Sequence, residues 1–96
     1  MPASPSTTVA FAVRGPIARS DLDGLSDRVC AVLRASRAEV AFCDVAGLEP
    51  DAVTVEALAR LQLGARRAGC QVRLQHASEE LLRLVAFMGL DDVLPG

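Results

Sequence analysis

Few residues of this 96-residue chain offer reactive chemistry. His76 is the single histidine. Asp44 and Asp51 fall near a predicted strand end and helix start, where two carboxylates could share acid–base work. Asp51, however, has a competing task as a helix cap. Cys30, Cys43 and Cys70 are widely spaced, form no CxxC, and cannot all pair within one chain. One histidine and scattered thiols fall short of the four ligands of a structural zinc site. Nor does the chain contain a nucleophile elbow with Ser, His and Asp in order, an HExxH helix or a phosphate-cradling P-loop. These residues point away from an enzyme and from any cofactor or metal. They fit small buried thiols in a reducing cytoplasm and a histidine engaged in local hydrogen bonding.

Charge and composition narrow the partners. Twelve acids against ten basic residues give a net charge of −2. That balance gives no general attraction to phosphate backbones. With neither Tyr nor Trp, the chain also lacks the best stacking platforms for single strands. Nucleic acid is therefore not an expected partner. No apolar run approaches the roughly 18–20 residues of a membrane span. Residues 1–6 have neither the positive charge nor the apolar run of a secretory signal, and read as a flexible tail.

Hydrophobic periodicity predicts the elements that must position these groups. Residues 9–13 read as a strand apolar on both faces. Ser20 is placed to cap a helix starting at Asp21, whose stripe is Leu22, Leu25, Val29, Val32 and Leu33. Residues 39–45 read as a central strand covered on both faces. A second helix spans 52–68, capped by Asp51. It buries Val55, Leu58, Leu61 and Ala65, with Glu56, Arg60 and Arg67 opposite. Leu63 falls on that outward side. Gly69 stops the helix, and 70–75 alternates as an edge strand. Ser78 caps a third helix with stripe Leu81, Leu84, Val85 and Met88, and 91–94 closes as a short helix. The pattern is α/β. It predicts one domain over 7–96, with a small mixed sheet of three to five strands and helices packed in layers.

Several segments, in order, resemble the STAS domain family (sulfate transporter and anti-sigma factor antagonist). Phe42-Cys43-Asp44-Val45-Ala46-Gly47-Leu48 resembles the family's Asp-Leu-Ser-Gly-Val-like strand end. Asp51 stands where its Asp-Ser-Ser-Gly loop opens the next helix. Ala77-Ser78-Glu79-Glu80-Leu81 and Met88-Gly89-Leu90-Asp91-Asp92-Val93-Leu94 resemble its later Ser-Pro-x-Val/Leu and closing Gly-Leu segments, and Gly15-Pro16-Ile17 its Gly-x-Leu/Ile. The departure lies in the loop. Asp51 matches the family Asp, but Ala52 takes the place of the serine that partner kinases phosphorylate, Val53 the second serine and Thr54 the glycine. The spacing from Asp44 to Asp51 is also one residue short.

The resemblance implies a non-enzymatic protein-binding module of the anti-sigma factor antagonist kind, binding an anti-sigma factor kinase, with the usual phosphoserine switch lost. The alternative is the STAS subunit of a lipid-transporting ABC complex, bound to its ATPase. In either case the expected contact is Asp51, Thr54, Glu56, Arg60 and Leu63, with Thr54 the remaining candidate phosphosite. A homodimer stays open.

Overall fold

A computed structural model describes residues 8–94; the expected tail at 1–6 lies outside them. Along the chain come β1 (Thr8–Ala12), a 3₁₀ turn (Arg19–Asp21), α1 (Leu22–Ser36), β2 (Val40–Asp44), α2 (Ala52–Arg67), β3 (Gln71–Gln75) and α3 (Glu79–Phe87). The strands pair in the order β1-β2-β3. Both pairings are parallel, with Ala10, Phe42 and Arg73 in one row. The described strands thus form a parallel sheet where a mixed one was expected. Each βαβ unit crosses over through a helix, and a parallel pair needs such a crossover.

Right-handed crossovers in a sheet that grows in one direction place α1 and α2 on the same face. Burial follows that asymmetry. Ala41, Cys43, Val72 and Leu74 point toward the helices and are buried, whereas Val40, Phe42 and Asp44 on the other face are only half-buried. β2 is therefore covered on one face, not two. β1 is an edge strand with Ala10 and Ala12 exposed, so its apolar sequence does not mark burial on both faces. α1 departs from expectation in the same region. Ser20 lies inside the 3₁₀ turn and does not cap; Asp21 instead accepts the Ala18 N–H at 3.1 Å. Val32 is 52% exposed and lies beside Phe11 and Ala12 of the edge strand.

The core runs from Val13 and Leu33 through Val55, Leu58 and Leu61 to Leu81, Val85 and Leu94. Two details lock α2 into it. At Gly64 an added Cβ would run into Cys30 Sγ on α1, so the Cys30 side chain sits directly against the backbone of α2. Gln62, polar by type, is fully buried. Its Nε2 donates to the carbonyls of Val72 (2.9 Å) and Val93 (2.8 Å), and its Oε1 accepts the Val72 N–H (2.8 Å). One carboxamide thus joins α2, the outer edge of β3 and the last turn of the described chain. That last stretch, 91–94, is a turn and not a helix. Met88 is half out of its expected stripe because α3 ends at Phe87.

Replacing Gln62 by Leu would strand three backbone groups, two of them, on Val72, fully buried. Gln62→Leu should lower unfolding free energy by about 2–4 kcal/mol in urea titration. Gly64→Ala should cost about 1–3 kcal/mol through overpacking, despite the better helix propensity of Ala. In a Cys30→Ala background that cost should shrink, a coupling read from a double-mutant cycle.

Candidate functional site

The start of α2 is built as its sequence dictates. Asp51 is extended at the N-cap and its Oδ1 accepts the Thr54 N–H at 2.8 Å. Ala52 follows, exposed, at the first helical position. Thr54 turns inward and is 2% exposed. The expected contact and phosphosite at Thr54 is therefore corrected. A phosphate of about −1.5 to −2 charges has no place on a side chain buried under the helix. Neither exposed residue of this turn, Asp51 or Ala52, carries a hydroxyl.

Glu56, Arg60, Leu63 and Arg67 recur at four- and three-residue steps and share one outward stripe. Arg19 donates to Glu56 at 2.7 Å, and Arg60 donates to both Glu56 (3.2 Å) and Asp23 (2.7 Å). This chain of charges ties the 3₁₀ turn and α1 to α2. All its members are partly in water, so it contributes order more than stability. Beyond it lies a shallow groove of about 280 Å³ lined by Asp23, Ser26, Asp27, Arg60, Leu63, Gly64 and Arg67. Leu63 is 51% exposed there. The structure therefore groups Glu56, Arg60 and Leu63 on one surface, with Asp51 at its head and Thr54 beneath.

Phe87 is the surface residue that sequence reasoning missed. It is 87% exposed and borders an apolar depression with Pro50, Glu80, Arg83 and Leu84, beside the Asp51 loop. At 100° per residue Phe87 falls off the stripe of α3, and that offset was the available signal.

A second cluster sits at the carboxyl ends of the strands, where open α/β sheets take ligands. Asp44 Oδ1 accepts the Ala46 N–H at 2.9 Å, and Oδ2 lies 3.2 Å from His76 Nδ1. The Ala46 N–H, then His76, then the Arg14 charge hold the Asp44 carboxyl below its ordinary 3.8. His76 is left-handed, at φ 60°, a region His enters more readily than branched residues do. The adjoining cavity, about 120 Å³, is smaller than the roughly 300 Å³ at which ligand pockets begin. Burial, with the Asp44 charge, pushes the Cys43 thiol up to about 12, so it holds no thiolate near neutrality. Among the described residues no group of three or more His, Cys, Asp or Glu is placed to hold a metal ion. No described helix is long and apolar enough to cross a membrane.

No protein-family model matches the chain, and no curated protein matches it. Among solved structures, a sulfate transporter family protein from Wolinella succinogenes aligns with 97% of this chain and 75% of its own, with a TM-score of 0.66 and 22% identity. The fold is STAS-like. At that identity the likeness carries architecture, including the strand–helix order that brings Asp51 to the head of α2.

Asp44 supplies a pH test. Its folded pKa lies below the unfolded value of about 3.9, so its contribution is present above that value and fades as pH falls through the folded one. Asp44→Asn should be less stable than the parent at neutral pH, and the gap should narrow as pH falls through and below the ordinary carboxylate range in a denaturation series.

Proposed function

We propose that this chain is a non-enzymatic STAS-like module that binds a protein through the outward face of α2. The observation that carries this reading is Leu63, half-exposed between Arg60 and Arg67 on a surface already ordered by the Arg19–Glu56–Arg60–Asp23 chain. A pre-ordered patch with an apolar centre and a charged rim loses little entropy on docking. Asp51, Glu56, Arg60 and Leu63 are the contact residues, and Thr54 acts beneath them as a buried helix residue. In the anti-sigma factor antagonist reading, the partner is an anti-sigma factor kinase and capture is constitutive.

The missing hydroxyl at Ala52 and the burial of Thr54 also favour a second reading, attachment to the ATPase of a lipid-transporting ABC complex, where no phosphoserine switch is needed. The two readings separate by partner. Affinity capture of the full chain from its native host should recover one protein, a kinase-like ATP-binding regulator or a transporter ATPase, which is then purified. Leu63→Asp should weaken binding to that purified partner by at least about tenfold in calorimetry, with unfolding stability unchanged because the site is exposed. Undiminished binding in Leu63→Asp would place the contact elsewhere.

A further inference from the structure

The two edges of the sheet differ. On β3, the outward N–H and carbonyl of Val72 are taken up by Gln62, and both Val72 and Leu74 are buried. On β1 the Val13 N–H faces inward, donating to the Asp44 carbonyl, so by alternation the groups turned outward belong to Thr8, Ala10 and Ala12. No described residue pairs with the outward groups of Ala10 and Ala12. Beside that edge runs an apolar trough of about 250 Å³ lined by Phe11, Ala12, Leu25, Arg28, Val29 and Val32.

We propose that the β1 edge and the adjoining strip of α1 form a self-association surface. A second copy of this chain seats there with its β1 antiparallel across a two-fold axis. An unpaired ladder edge is a template for another strand unless charge, proline or a bulge blunts it. Thr8-Val9-Ala10-Phe11-Ala12 carries neither charge nor proline. A two-fold axis sets these residues against themselves, so no like charges meet across the strands. The small side chains of Ala10 and Ala12 let the copies approach on the open face. Val29 and Val32 add apolar area on the helix face, and Arg28 is the one charge in the trough. Pro2 and Pro5, ahead of β1 in the sequence, have no N–H to donate to a ladder. The two-fold pairing consumes the β1 edge of each copy and so closes at two.

This surface is separate from the α2 face, so its test does not depend on the partner. In analytical ultracentrifugation over a dilution series, the full chain should show reversible association to twice its 10.1 kDa mass. Val32→Glu should raise the dissociation constant by at least about tenfold with circular dichroism and unfolding midpoint unchanged. Ala10→Pro, which removes an outward N–H, should do the same through the ladder. The Ala10 and Ala12 amides should exchange slowly at high concentration and fast on dilution. A wild-type chain that stays monomeric overturns the proposal, as does a dissociation constant unmoved by Val32→Glu. Slow exchange of both amides in the monomer would also overturn it, showing the edge to be covered by the chain itself.

Discussion

A buried amide is costly unless each of its polar atoms finds a partner, and Gln62 meets that condition with three backbone groups from two distant segments. Much of the molecule hangs on this arrangement. The carboxamide fixes the rotation of α2 about its own axis, because only one orientation reaches both Val72 and Val93. With Gln62 facing in, Glu56, Arg60, Leu63 and Arg67 face out. The contact with α1 at Gly64 then follows, since that residue must pass Cys30 without a side chain. A small domain with a shallow core gains uniqueness from such a tie, which apolar packing alone specifies less sharply.

The second constraint is one-sidedness. Two right-handed crossovers in the same direction load the helices on one face and leave the row Ala10, Phe42 and Arg73 on the other. The architecture thus puts its specific features at margins: the head of α2, the carboxyl ends of the strands and the β1 edge. Among the described residues none of these margins holds a deep cleft.

How far the sequence disclosed this depends on the physics behind each signal. Helix stripes and caps are local, so α2 with its Asp51 cap and α3 with its Ser78 cap were legible, as was the exposure of Leu63. Burial on the second face of a strand is not local. Residues 39–45 are apolar enough for full coverage, yet which faces receive helices depends on crossover hand and strand order. The same omission hid the exposure of Val32 and the open side of β1. Gln62 escaped because a glutamine on a helix reads as surface, and its buried partners lie 10 and 31 residues away. Thr54 was misread for the opposite reason. The family resemblance drew attention to its hydroxyl, while the helical phase that buries it beside Val55 and Leu58 was already in the sequence.

The three thiols have a consequence in time. Cys30, Cys43 and Cys70 are all buried and all unpaired, and burial holds Cys43 and Cys70 above their ordinary pKa. An oxidant that meets the folded chain finds all three sulfurs buried; one that meets an opened chain finds three accessible thiols. Oxidation of any of the three therefore requires the fold to open around it, so the reactivity of these thiols is tied to local unfolding.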